Sequence, residues 1–320
     1  MRKFSIGKDS AGVSRLFLNN KPYFHNGLLD QGYWSDGMYT APSDEAMIFD
    51  IKTMKDMGFN MLRKHIKIEP LRWYYHCDRL GMLVWQDMVS GGGIYSQKVM
   101  MIYPAVNLAL CKKVLNISDG EKNYKLFARD DEAGREEYYR DSEEMINLLY
   151  NAVSLSVWVP FNEGWGQFDA VKAARFYRRL DPTRIIDHAS GFHDQNGFDL
   201  NSFHIYFTPF RFPKAFRGDD RPIVLSEFGG FSLRVKGHMF NKTKFFGYRK
   251  YYDEESYAKA MEKLFSKKVI PSIKKRGLAA TVYTEVSDVE DECNGLMTYD
   301  RRVIKISVKR MKKINSEVRL

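Results

Sequence analysis

The stretch SVWVPFNEGWGQFD (156–169) runs out of an apolar, strand-like segment onto Asn162-Glu163, with Phe161 and Trp165 on either side. Burial disfavours the charged form of a carboxyl group, so a glutamate in such a setting either costs stability or serves as a proton donor. A second glutamate decides between the two. Glu227 lies at the end of another apolar run, IVLSEF (223–228). Two carboxyls in unlike surroundings, one apolar and one hydrogen-bonded, are the pair that hydrolysis of a glycosidic bond requires. On that reading Glu163 is the protonated acid and Glu227 the ionised nucleophile, with the carboxyls about 5–5.5 Å apart as retention demands. Asp87 ends MLVWQD (82–87), where it either contacts a sugar or orients a neighbour. Trp165 and Trp34 offer rings that can stack on sugar faces.

Bringing residues 163 and 227 together takes segments that end at one place. Eight strand-like runs are present: 23–29, 59–65, 82–87, 154–161, 184–189, 201–206, 223–228 and 278–286. Helical patterns lie between most of them. SDEAMIFDIKTMKDMG (43–58) opens on Ser43 and stops on Gly58; EPLRWYYHCDRLG (69–81) has Pro70 at its start and Gly81 at its end; 130–152 and 254–270 are long and amphipathic. The connections 191–200 and 207–222 are poor in helix, and a long loop follows the third strand. The pattern predicts an α/β protein of the (β/α)8 TIM-barrel class, with degraded helices after strands five and six. In that fold the strand ends face the site. The residues there are Asp30, Gln31, Arg63, His65, Gln86, Asp87, Asn162, Glu163, Asp187, His188, His204, Tyr206, Glu227 and Tyr283 to Glu285.

The loop after strand three carries Gly91-Gly92-Gly93 and then an apolar stretch, Met100 to Tyr103. A connection this long on the catalytic face is expected to wall the pocket, with its apolar half ordered against the barrel mouth and SDGEK (118–122) mobile. The acidic run SDVEDE (287–292) is expected to cap and anchor its loop.

Composition excludes several other classes. The 320 residues are 44% hydrophobic, with no run of the roughly 20 apolar residues a membrane span needs. The start, MRKFSIGKDSAG, lacks the apolar region of a secretory signal, which favours a cytoplasmic location. The net charge of +10 owes much to KKVIPSIKKR and the C-terminal RRVIKISVKRMKKINSEVRL. Those lysines read as the solvated face of a last helix, and no aromatic-basic interleaving points to nucleic acid. Cys77, Cys111 and Cys293 are scattered, as expected of buried thiols, and the seven histidines form no metal-ligand set.

VPFNEGWGQFD, IVLSEFGGFS, GFNMLRKH, DRLGMLVWQDM and TEVSDVEDECNGLMTYDRR resemble the barrel domain of glycoside hydrolase family 2, over about residues 12 to 302. The family includes β-galactosidases, β-glucuronidases and β-mannosidases. The resemblance implies a retaining exo-β-glycosidase that needs no cofactor, with a β-galactoside as the first substrate to consider. It implies Glu163 as acid/base, Asn162 on the sugar 2-hydroxyl, and Glu227 as nucleophile, held ionised by Arg63 and Tyr206. It also brings His204 to the sugar. His65 departs from the family spacing, two residues from Arg63 instead of three, so its side chain is expected to turn elsewhere or join the site. Tyr283 stands where many members carry a tryptophan platform, and FNKTK (240–244) is a loose match to an Asn-x-Lys element associated with glucuronidases. His188 is open between a ligand contact and a core position. The family's sugar-binding and immunoglobulin-like domains are expected as partners in a longer chain, with residues 1–22 as the lead-in and 23–320 as the barrel. The competing reading is a carbohydrate-binding barrel or pseudoenzyme, inactive without those domains.

Overall fold

The computed structural model describes residues 2–110, 116–206 and 219–320. Its eight parallel strands are β1 (His25–Asp30), β2 (Met61–Lys64), β3 (Leu83–Asp87), β4 (Leu155–Val159), β5 (Ile185–Ile186), β6 (Asn201–Ile205), β7 (Ile223–Gly229) and β8 (Leu278–Thr284). They form one curled sheet in the order β5-β4-β3-β2-β1-β8-β7-β6. The predicted strands are all present, and all but the seventh are shorter than predicted, because each loses its ladder partners as the chain turns out over the rim. Between β5 and β6 side chains close the seam: Ser202 donates to Asp187, and the Ser190 hydroxyl meets His204 Nε2 at 3.2 Å.

The helices follow their capping signals. Helix α1 (Asp44–Asp56) starts where the Ser43 side chain accepts from Ala46 N. Helix α2 (Leu71–Leu80) ends on Gly81 in the left-handed conformation; Pro70 occupies the cap position just before the helix, not its first turn. Helix α3 (Glu132–Leu149) precedes β4, and α4 (Ala170–Leu180) follows it. The predicted 254–270 helix is α5 (Glu254–Leu264), which passes through a π turn at Phe265–Val269 and runs on to Arg276. The chain from 191 to 200 is without helix, and most of the connection after β6 lies outside the described residues. The last helix, α6 (Val308–Asn315), packs on α1 through Asn315, which donates to Met57 O.

Two apolar layers hold the barrel. Leu29, Met61, Trp85, Val157, Ile185 and Val224 fill its interior, while a larger layer joins the outer faces of the strands to the helices. The segment before β1 is a hairpin (Phe4–Lys8 with Ser14–Leu18) that covers the N-terminal end: Leu16 is buried in the interior cluster, and Arg15 donates to Leu278 O at 2.8 Å. With that end plugged, the polar strand ends opposite are the open face.

Candidate active site

Alternation along β2 sends Arg63 into the barrel mouth and Lys64 outward, where it is buried against Asp30 (2.8 Å) and Glu69 (3.0 Å). Arg63 is wholly buried and its guanidinium is saturated. Nε and Nη2 donate to the two oxygens of Asp87 (2.8 and 3.0 Å), Nη2 also to Asn162 Oδ1 (2.8 Å), and Nη1 to Ser226 O (3.0 Å) and Glu227 Oε1 (3.1 Å). Burial works against that charge, but Asp87 and Glu227 outweigh it.

Glu227 owes its aim to an irregularity in β7. The register against β6 slips between Leu225 and Glu227, and the Ser226 carbonyl turns to Arg63. The second oxygen of Glu227 takes the Tyr206 hydroxyl at 2.5 Å, and that hydroxyl also lies 3.0 Å from Thr284 Oγ1.

Glu163 sits just past β4 with φ 52°, a conformation costly for a residue with a Cβ. Two backbone bonds hold it there, Glu163 N to Ser190 O and Trp165 N to Asn162 O, both 2.9 Å. Its Oε1 meets His204 Nδ1 at 2.7 Å, and Trp165 Nε1 donates to Oε2 at 3.3 Å. His204 Nδ1 is also 3.3 Å from Glu227 Oε2, so one imidazole N–H faces both carboxylates. A ligating atom from each of Glu163, His204 and Glu227 lies within 4.8 Å of the others. This trio is also the place among the described residues where a metal ion would find ligands, although its atoms already hydrogen-bond one another.

The sequence suggests a protonated Glu163, but its surroundings favour the charged form. Burial pushes Glu163 up, but the hydrogen bond and charge of His204, then Trp165 and His65, outweigh it and leave the carboxyl below its usual range. Phe161 and Trp165 are its sequence neighbours; the imidazole comes from β6.

Other expectations divide. His65 joins the site, with Nδ1 at 2.7 Å from Asp87 Oδ2. Asp87, expected among the sugar-binding residues, is wholly buried with both oxygens engaged, and so it orients Arg63 and His65 from beneath the mouth. Trp34 is buried under the Arg301 guanidinium, 4.2 Å from its ring, and offers no stacking face. Tyr283 is buried against Phe228 and accepts from Phe231 N, so it is no platform either. His188 is a core residue, 3.1 Å from Asp194.

The loop after β3 does wall the mouth. Val99, Met100 and Phe127 are buried with Tyr95 and Trp165, and His193 Nε2 meets Val99 O at 2.8 Å. SDGEK is anchored, contrary to expectation: Asp119 is buried, accepts from Gln167 Nε2 (2.8 Å), and caps α4 by accepting from Ala170 N (2.9 Å). In SDVEDE, Asp288 anchors the loop through Lys305 and Gly295 N, as expected of the run.

Sequence reasoning missed Ser190, Tyr248 and Glu292. Tyr248 stacks on Tyr206 with centroids 3.7 Å apart, from an irregular segment with no motif. Glu292 lies in the acidic run but near the catalytic-type pair. Burial raises its pKa, Asn294 lowers it, and the charges of Glu227 and Glu163 raise it further.

The family model for glycosyl hydrolases family 2, TIM barrel domain, matches residues 12–320. The chain is 28% identical over 186 residues to the mannosylglycoprotein endo-beta-mannosidase of Lilium longiflorum, which takes in 57% of this chain and 16% of that protein. It is 25% identical over 145 residues to a beta-galactosidase of Streptococcus thermophilus, covering 45% and 12%. Among solved structures, a beta-D-glucuronidase of Dictyoglomus thermophilum superposes with a TM-score of 0.70 at 15% identity, over 99% of this chain and 54% of that one. A GH2 beta-galacturonidase of Eisenbergiella tayi bound to galacturonate gives 0.68 at 15%, over 98% and 54%. At such identity the structural likeness speaks to fold alone. The chain spans about half the length of these solved relatives and under a fifth of the curated ones.

Proposed function

Because this chain belongs to glycosyl hydrolases family 2, as its TIM-barrel domain, we propose that it is a retaining exo-β-glycosidase with Glu163 as acid/base and Glu227 as nucleophile. The observation that carries the reading is the unequal support of two carboxylates that share His204. Glu227 accepts from a guanidinium and a phenol; Glu163 takes an imidazole and an indole N–H at the rim.

In the first step a Glu227 oxygen bonds the anomeric carbon while the bond to the glycosidic oxygen breaks. The Glu163 proton passes to that oxygen, which leaves as an alcohol. In the second, Glu163 takes a proton from water, the water oxygen bonds the anomeric carbon, and the ester to Glu227 breaks. A sugar over the pair expels water and strengthens burial, already the largest influence on Glu163, so the proton is taken up. Loss of the Glu227 charge in the ester then favours its release. Asn162 gives Oδ1 to Arg63, and its remaining polar group is an amide donor suited to the sugar 2-hydroxyl.

A terminal β-galactoside is the first substrate to test, on the strength of the curated beta-galactosidases that match. Turnover of aryl β-glycosides decides the reading. Glu227→Gln should abolish it for every substrate, while Glu163→Gln should spare aglycones that leave without a proton. Equal losses on activated and unactivated substrates would count against these roles, and binding without release is the behaviour of a carbohydrate-binding barrel.

A further inference from the structure

We propose that Gln31, held by Glu285, makes the sugar pocket selective for uncharged glycosides and closes it to uronic acids. This rests on the catalytic reading above. Glu285 follows Thr284 at the end of β8, and Thr284 Oγ1 is one hydrogen bond from the Tyr206 hydroxyl that holds Glu227. The segment is therefore part of the same mouth. Glu285 is 1% exposed, and its Oε1 is buried without a hydrogen-bond partner. Its Oε2 accepts from Gln31 Nε2 at 3.0 Å.

In that bond Gln31 is the donor. With its N–H turned to Glu285, the half-buried amide has its carbonyl oxygen, an acceptor, as the unengaged end. Glu292, also half-buried, takes Asn294 Nδ2 on Oε2 and adds a second acceptor-rich group near the catalytic pair. A wall of acceptors suits hydroxyl donors. A sugar carboxylate is all acceptor and is mismatched to such a wall.

Lys67, Lys305, Arg301 and Arg63 are all engaged elsewhere. Lys67 is buried on Gly32 O, Tyr39 O and Glu69. Lys305 is held by Asp288 and Cys293 O, Arg301 by Asp50, and Arg63 has no donor left over. In the FNKTK element the Asn241 amide is engaged at both ends. Asn241 Oδ1 accepts from Thr243 N and Lys244 N, its Nδ2 donates to Asp291, and Lys242 and Lys244 are exposed. Burial, with Glu292, Asp288 and Asp30 nearby, pushes the Glu285 carboxyl well above its usual value.

Gln31 is thus a specificity residue, and Glu285 a positioning residue that acts through it. The test uses 4-nitrophenyl β-D-galactoside, β-D-mannoside, β-D-glucuronide and β-D-galacturonide, with galactonolactone and glucarolactone as binding probes read by thermal shift. The best neutral glycoside should exceed both uronides in kcat/KM by at least about 100-fold. Galactonolactone should raise Tm where glucarolactone does not. Gln31→Ala and Glu285→Ala should each raise KM for the neutral glycoside about tenfold with a smaller change in kcat, the pattern of lost binding. Gln31→Arg should move the uronide-to-neutral ratio at least about tenfold toward the uronide. Uronide turnover equal to neutral turnover, tighter binding of glucarolactone, or an unmoved ratio in Gln31→Arg overturns the proposal. If no glycoside is turned over, the catalytic reading fails, and the lactone comparison still decides this one.

Discussion

Replacing Arg63 by methionine removes a cation that four groups share, and the structure sets the size of the effect. The guanidinium is wholly buried, and its two carboxylate partners, Asp87 and Glu227, have side chains only 1% and 5% exposed. Methionine fills much the same space but leaves both charges behind. Asp87 would retain only His65, and Glu227 only Tyr206 and His204. Removing one partner of a buried pair costs about 3–5 kcal/mol. The pH dependence follows by linkage. In the native protein burial pushes Asp87 up, but Arg63 and His65 hold it below its usual 3.8. It therefore contributes stability above pH 3.8 that is lost as pH falls through its folded value. Without Arg63 burial dominates and the folded value rises, so the same carboxyl destabilises at neutral pH and is relieved on protonation. Urea unfolding of Arg63→Met should show a loss of about 3–5 kcal/mol at pH 7 and roughly half that at pH 4.5, with no detectable glycosidase turnover. A loss under about 1 kcal/mol at pH 7, or one that does not shrink at low pH, would refute the account.

Tyr206→Phe removes a charge-assisted hydrogen bond to Glu227 and should lower kcat about 10- to 150-fold while unfolding midpoints stay near those of the parent. Gly191→Ala should cost activity and stability together: φ is +87°, and the added Cβ would lie 2.5 Å from the His204 ring, which aligns both carboxylates. Asp119→Ala should destabilise by about 1 kcal/mol through loss of the α4 cap, measured by urea unfolding. Asp50 is raised to about 6 because burial outweighs Arg301. Its contribution is full below pH 3.8 and falls by up to about 3 kcal/mol as pH rises through 6, so Asp50→Asn should flatten that part of the pH–stability curve.

The alternation of apolar strands with capped helices was enough to specify the barrel, because a β/α chain has few ways to bury both faces of a parallel sheet. Ser43 and Gly81 mark helix boundaries through local chemistry, which needs no tertiary partner. Asn162, Glu163 and Glu227 were legible as candidates for the same local reason, lying where apolar runs end. Where each side chain points, and with whom, was not. Asp87 and Arg63 are 24 residues apart and Glu227 a further 140, and their shared charge network exists only once the sheet has curled. The state of Glu163 reversed for that reason: its sequence neighbours are aromatic, but its strongest partner is His204, 41 residues on. Trp34 and Tyr283, plausible as sugar platforms by residue type, were taken into the core by Arg301 and Phe228. Tyr248 and Ser190 carry no local mark at all. They matter because loops from different strands converge at one end of the barrel, and convergence is a property of the closed sheet, not of any stretch of the chain.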